Sequence, residues 1–330
     1  MRAEKLVARF AELGIDAMLV ASEANRRYLS AFTGTAGTLF VTGAERLLLT
    51  DFRYTQQAHE QAAAFEVVET REPIDAVIQR VAKSAPKRIG VEADHVPYAE
   101  YQRMAAKFAA LPAKPELVPL EGVVERQRQI KDVVELEAIR EAVAIADAVM
   151  AVAASAVRPG VSERSIATLL EFEMRKHGAD EPAFPTIVAA GPNGAMAHHQ
   201  PGAHTLQEGE PVIVDLGVKV RGYCSDVTRT FSAGAPYTRF RGLYRLVLEA
   251  QRAAEAALRS GLTGVDADAL ARRVIEEAGH GDRFGHGTGH GVGLQIHEAP
   301  RLSRRSTDTL KAGMVTSVEP GVYLPGWGGV

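Results

Sequence analysis

Two stretches of this sequence repeat each other at a fixed distance, and the repeat limits the folds open to its second half. AVRPGVSERSIATLLEFEMRKHGAD begins at Ala156 and ALRSGLTGVDADALARRVIEEAGHGD begins at Ala257. Arg158 and Arg259, Gly160 and Gly261, and Gly178 and Gly279 each stand 101 positions apart. In each copy a long helical run ends in a Gly turn, Ser162 or Thr263 offers an N-cap, and a second helix stops at Gly. A helix pair followed by a β-rich segment, made twice, predicts a duplicated α+β unit with a pseudo-twofold axis. The natural place for a site is then the seam between its halves.

Ahead of the repeat the pattern changes. Ala17–Ala21, Thr38–Thr42, Arg46–Thr50, Phe65–Glu69 and Arg88–Glu92 read as strands. Ala3–Leu13, Tyr54–Ala64, Ile74–Ala82 and Tyr98–Phe108 read as helices between them, which predicts an α/β domain. Pro112, Pro115 and Pro119 cluster before Glu121, and the boundary is placed there, giving domains 1–120 and 121–330. The second opens on a helical run from Val133 to Val157 that stops at Arg158-Pro159-Gly160.

Composition excludes several function classes. A formal net charge of −3 leaves no electrostatic footprint for nucleic acid or anionic membrane. Apolar residues at 46% and charged residues at 24% suit a globular rather than a disordered chain. The single cysteine, Cys224, permits no internal disulfide framework and fits a reducing, cytoplasmic setting. MRAEKLVARFAELG mixes charged and apolar residues at helical spacing, unlike a signal peptide, and no stretch approaches the length of a membrane span.

Chemistry concentrates in the second half. Pro211–Phe231, PVIVDLGVKVRGYCSDVTRTF, reads as a β-hairpin turning near Lys219–Gly222, with Asp215 and Asp226 equidistant from the turn. Directly opposed residues have Cβ atoms about 4.5–5.5 Å apart, so a shared proton or a cation must offset the repulsion; two exposed aspartates are the bland alternative. In FGHGTGHGVGLQIHE, from Phe284 to Glu298, His286 and His290 have the i, i+4 spacing of a helical zinc site. Alternating glycines argue against a helix at about 1 kcal/mol apiece and predict extended backbone that a neighbour approaches closely. His297 completes a cluster of three histidines. Glu319 stands alone in the apolar run Val315–Tyr323, where a carboxylate is costly unless paired or metal-bound. FPTIVAAGPNGAMAHHQP, Phe184 to Pro201, offers His198 and His199 after a turn-rich stretch. Carboxylates with one imidazole suit hard or borderline divalent ions, and paired ions about 3.5–4 Å apart serve aminopeptidases. No nucleophile elbow, P-loop or Cys-x-x-Cys competes with this reading.

DLG…YCSDVTRTF, FGHGTGHGVGLQIHEAPRLS and VEPGVY resemble the Xaa-Pro peptidases, aminopeptidase P and prolidase, of the pita-bread metallopeptidase superfamily. Asn25–Thr42 and Thr50–Ala58 resemble the creatinase-type N-terminal domain of the same family, so the resemblance spans essentially the whole chain. It implies Asp215, Asp226, His290 and Glu319 as metal ligands, with Asp226 bridging and Glu319 also shuttling a proton. It implies His198 and His297 as histidines that stabilise the tetrahedral intermediate and position substrate, His286 at the pocket, and Thr228 as a partner of the ligands. Two Mn²⁺ ions, with Co²⁺ or Zn²⁺ as substitutes, and a homodimer are implied as well. Arg301 is either the anchor for a dipeptide's carboxylate or a surface arginine. Ala197 stands where many members have proline. The family pattern continues past GVYLPGWGGV into an Arg-x-Glu-Asp stretch with a second bridging glutamate; either a tail carrying it follows Val330, the preferred expectation, or the site lacks that carboxylate.

The expected function is hydrolysis of the Xaa-Pro bond at the N-terminus of proline-containing peptides, with length preference open. A non-catalytic pita-bread peptide binder and a metal-free creatinase-like amidinohydrolase are the alternatives. Metal content and activation by Mn²⁺ discriminate among them.

Overall fold

In the computed structural model, which describes residues 2–330 apart from the side chains of Lys83 and Ser84, the alternating runs of the first part fold as strands and helices. The chain divides into two compact units, the first ending at Arg128 and the second beginning at Gln129.

The expected strands of the first unit are β1 (Ala17–Val20), β2 (Thr38–Thr42), β3 (Arg46–Thr50), β4 (Glu66–Glu69) and β5 (Arg88–Glu92). A further strand, β6 (Glu116–Leu120), lies within the proline-rich stretch. The sheet order is β4-β3-β2-β1-β5-β6, which puts β6 at an edge. An edge strand tolerates Pro119, whose missing N–H interrupts no inner ladder. The helices are α1 (Arg2–Val7), α2 (Phe10–Leu13), α3 (Glu23–Ser30), α4 (Thr55–Gln61), α5 (Pro73–Ser84), α6 (Tyr98–Ala109) and α7 (Val123–Arg128). Leu19, Phe40, Leu49, Val77, Ile89 and Phe108 meet in the core. Helix α3 was not expected, because its support is tertiary. Ser22 makes no side-chain cap; the amides of Ala21 and Ser22 instead donate to Glu92 Oε2 at 2.6 and 2.7 Å, and Asn25 donates to Glu92 Oε1 at 2.6 Å.

The second unit opens on α8 (Val133–Ala156), started by a capping box in which Asp132 and Glu135 satisfy each other's amides. Then follow α9 (Glu163–Lys176), strands β7 (Glu181–Pro182), β8 (Ile187–Ala190), β9 (Pro211–Leu216), β10 (Val218–Val220), β11 (Tyr223–Cys224) and β12 (Val227–Ser232), then α10 (Thr238–Ala257) and α11 (Gly264–Glu277), with β13 (Gly289–Gly291) and β14 (Glu298–Leu302) near the end. The repeat is real in backbone terms. Gly160, Gly261, Gly178 and Gly279 all have positive φ, from 79° to 95°. Ser162 and Thr263 both cap their helices, and the amides of Gly160 and Gly261 each donate at 2.9 Å, to Leu206 O and Leu310 O. Each half buries its own core, Val149, Leu170, Val188 and Val214 in one and Leu243, Ile275, Phe284 and Val322 in the other. The expected architecture, an α/β unit followed by a pseudo-twofold duplicated α+β unit, therefore holds. Among the described residues no helix is long and apolar enough to cross a membrane.

The hairpin differs in register from the expectation. Asp215 lies opposite Thr228, not Asp226. The turn is Arg221-Gly222, with Lys219 paired to Cys224 and Val220 to Tyr223; φ is 50° at Arg221 and 78° at Gly222, the two-residue geometry that needs positive φ at both positions. The turn centre falls one residue later than expected, so every cross-strand partner moves by two. A shift of two keeps side chains on the same face. Asp226 thus remains beside Asp215, as its diagonal neighbour.

Candidate metal centre

Four segments converge on one group of side chains. Strand β9 brings Asp215, β12 and the residue that enters it bring Thr228 and Asp226, β13 brings His290, and an extended segment beside β13 brings Glu319. That segment is laced to β13 by Ser317 N donating to His290 O and Glu319 N donating to Thr288 O, both at 2.8 Å. The glycines permit the packing: a Cβ on Gly289 would sit 2.1 Å from Ser317 O, and one on Gly291 2.3 Å from Ala299 O. The expected extended, closely approached backbone is present.

Ligand atoms of Asp226, His290 and Glu319 all lie within 4.8 Å of one another. His290 Nε2 is 3.3 Å from Asp226 Oδ2 and 3.1 Å from Glu319 Oε1, while its Nδ1 faces Gly291 O at 3.0 Å. A proton held on Nδ1 by that carbonyl leaves Nε2 as the donor atom for a metal. Ser317 Oγ donates to Glu319 Oε1 at 2.7 Å. Asp215 stands outside the 4.8 Å group but within reach of its charges. Burial and then the negative charge of Asp226 push its carboxyl up to about 8, against the hydrogen bond from Thr228. Burial disfavours the His290 cation, yet hydrogen bonds to Asp226 and Glu319 overcome this and raise it to about 10. Burial works against ionised Glu319 too, and the hydrogen bond and charge of His290, with Ser317, hold it below the usual carboxylate range.

Whether a divalent ion fits is decided by the donors. Asp215 Oδ1 is buried with no hydrogen-bond partner, a state that costs free energy and that a cation relieves. The surrounding set is oxygen-rich with one imidazole, the chemistry of a hard or borderline divalent site. The residues fit.

The other expected site residues are placed unequally. His297 packs edge-on to His290, ring centroids 4.4 Å apart; burial, then the charges of His290 and Arg301, hold it below the ordinary histidine range. His286 Nε2 meets Tyr323 Oη at 2.9 Å and its Nδ1 meets Gly287 O at 2.8 Å. The buried pair Asp268–Arg272 on α11 ties down the same segment, with Arg272 donating to Phe284 O at 2.9 Å and His286 O at 2.6 Å. Arg301 is exposed and lies opposite His290 across β13 and β14. His198 is exposed on the loop between β8 and β9, and among the described residues no hydrogen bond or ion pair brings it to the Asp226–His290–Glu319 group. The sequence by itself singles out neither Ser317 nor Tyr323. Ser317 carried a signal, standing two residues before Glu319 and so on its face of an extended segment.

Residues 137–330 match the model of metallopeptidase family M24, and residues 2–130 match that of the Creatinase/Prolidase N-terminal domain. The chain is 41% identical to the uncharacterized peptidase YqhT of Bacillus subtilis (strain 168), over all of this chain and 93% of that one. A solved structure of an Xaa-Pro dipeptidase from Bacillus anthracis is 42% identical with a TM-score of 0.94, covering 99% of this chain and 91% of that one. An X-Pro aminopeptidase from Thermotoga maritima MSB8 is 35% identical with a TM-score of 0.90, covering 100% and 93%. The expected kinship with the pita-bread Xaa-Pro peptidases and their creatinase-type N-terminal domain is borne out: the chain belongs to metallopeptidase family M24.

Proposed function

We propose that this protein is a metal-dependent exopeptidase that hydrolyses the Xaa-Pro bond at a peptide's N-terminus. The observation that carries the reading is the convergence of Asp226, His290 and Glu319 beside Asp215, whose buried Oδ1 has no partner among the described residues, in a chain of family M24. Asp215, Asp226, His290 and Glu319 are the residues that would hold two divalent ions, Mn²⁺ foremost, with Co²⁺ or Zn²⁺ as substitutes. Such ions supply Lewis acidity, lowering the pKa of a water and polarising the scissile carbonyl.

The chain's own groups do the rest. Glu319, held through Oε1 by the Ser317 hydroxyl, takes the proton of the attacking water and delivers it to the departing proline nitrogen. His198 donates a hydrogen bond to the developing oxyanion, and His297 orients the peptide. His286, steadied by Tyr323, lines the pocket. Thr228 keeps Asp215 aimed at the ions. Arg301, on the same face as His290, anchors the carboxylate of a bare Xaa-Pro dipeptide, and this favours dipeptides over longer substrates. The protein acts as a cytoplasmic homodimer in this reading.

The test is turnover of Xaa-Pro and Xaa-Pro-Xaa peptides by the purified protein with and without added Mn²⁺. Mn²⁺-dependent release of proline from Xaa-Pro is expected. Absence of hydrolysis with Mn²⁺, Co²⁺ and Zn²⁺ alike would refute the function; faster cleavage of the tripeptide would refute the role of Arg301.

A further inference from the structure

Glu163, the first residue of α9, is fully buried, yet it lies outside the candidate metal group. Its carboxylate accepts four hydrogen bonds. Oε1 takes them from Ala190 N and Asn193 Nδ2, both at 2.9 Å, and Oε2 from His199 Nε2 at 2.9 Å and Gly202 N at 3.0 Å. These donors run from Ala190, the last residue of β8, to Gly202, on either side of His198 in the loop that leads to β9. Main-chain bonds repeat the attachment, Glu163 N to His204 O and Arg164 N to Gly202 O, each at 3.1 Å. His198 is the neighbour of His199 in this loop. Its own side chain is exposed and makes no hydrogen bond among the described residues, so its placement is set by the loop rather than by its own contacts.

We propose that Glu163 is a positioning residue that, with His199 as its partner, fixes the loop presenting His198 to the reacting carbonyl. The inference rests on the peptidase reading above. The chemistry requires an ionised carboxylate: four N–H groups point at two oxygens, and an amide in its place would set an NH₂ against one pair of donors. A loop displaced by about 1 Å is enough to cost roughly a hundredfold in rate when it carries a transition-state contact.

The test is a kinetic cycle on Mn²⁺-loaded protein with an Xaa-Pro dipeptide. Glu163→Gln is expected to lower kcat about ten- to a hundredfold with KM within about twofold and Mn²⁺ affinity unchanged. In a His198→Ala background the same substitution is expected to cost nothing more. His199→Ala should reproduce the loss, and His199→Gln, which keeps a donor near the Nε2 position, should recover most of it. Losses that multiply in the double variant, a change confined to KM, or His199→Gln as poor as His199→Ala would each overturn the inference. Backbone hydrogen exchange is followed in parallel: faster exchange over residues 190–202 in Glu163→Gln and His199→Ala, with the interior of α9 unchanged, is expected, and unaltered exchange overturns the clamp. If the wild-type protein cleaves no Xaa-Pro peptide with any metal, the peptidase reading falls, and the clamp stands or falls on the exchange measurement alone.

Discussion

Replacing Thr228 by valine separates the shape of the metal centre from its hydrogen bonding. The two side chains are nearly isosteric, so no cavity opens on β12 and the pairing with Asp215 is kept. What disappears is the hydroxyl that opposes the burial of the Asp215 carboxyl, whose Oδ1 already lacks a partner. A hydrogen bond to a charged group is worth about 1.5–3 kcal/mol. At about 1.4 kcal/mol per factor of ten, the valine variant is expected to bind Mn²⁺ about ten- to a hundredfold more weakly, the range found when groups behind metal ligands are removed. Thr228→Ser retains the hydroxyl and should stay near wild type. The assay is a Mn²⁺ titration of metal-stripped protein, followed by free-ion paramagnetic resonance, with kcat measured at saturating metal. Wild-type Mn²⁺ affinity in Thr228→Val would show that the hydroxyl does not hold Asp215 in place for a cation.

Three further outcomes are expected. Asp226→Asn should lower kcat by at least about 10³ with a circular-dichroism spectrum and denaturation midpoint like wild type; an active variant would remove Asp226 from the proposed ligand set. Gly289→Ala should destabilise the second unit by about 3 kcal/mol or more, since its Cβ would stand 2.1 Å from Ser317 O; an unchanged urea midpoint would contradict the close strand approach. Burial works against ionised Glu163, but hydrogen bonds from Ala190, Asn193, His199 and Gly202 outweigh it and hold the carboxyl below its usual range. The folded-state value is the depressed one, so its contribution to stability is present above the unfolded pKa, about 4.3, and is lost as pH falls through the folded value. Denaturation midpoints followed from neutral pH downward should show a shallower acid decline in Glu163→Gln, and parallel declines would contradict the assignment.

Much of the architecture was legible because its signals are local. Five strands of the first unit follow from short apolar runs between turn residues, and the duplicated helix pairs from Gly and cap positions 101 residues apart. What was missed had its cause elsewhere in the chain. Strand β6 reads as a proline-rich linker until its edge position is known. Helix α3 is held by Glu92, far along the sequence, rather than by its own cap. The hairpin turn sits at Arg221-Gly222, with Arg221 at φ 50°, and arginine lacks the Asn or Asp signature of such turns.

The candidate site divides along the same line. Residue type and spacing along the chain bring forward Asp215, Asp226, Glu319 and the histidines of the Gly-rich run, because a carboxylate in an apolar strand is costly without a partner; the choice of His290 among those histidines comes from the resemblance to the Xaa-Pro peptidases and not from spacing. Folding settled the pairing that spacing leaves open. It set Thr228 rather than Asp226 across from Asp215, put Ser317 on Glu319 and Tyr323 on His286, and gathered residues from Ala190 to Gly202 onto the carboxylate of Glu163. Periodicity encodes which face a side chain occupies. Register, and which distant donor reaches a buried oxygen, depend on turn geometry and on contacts between elements far apart in the chain, and only the folded chain supplies those.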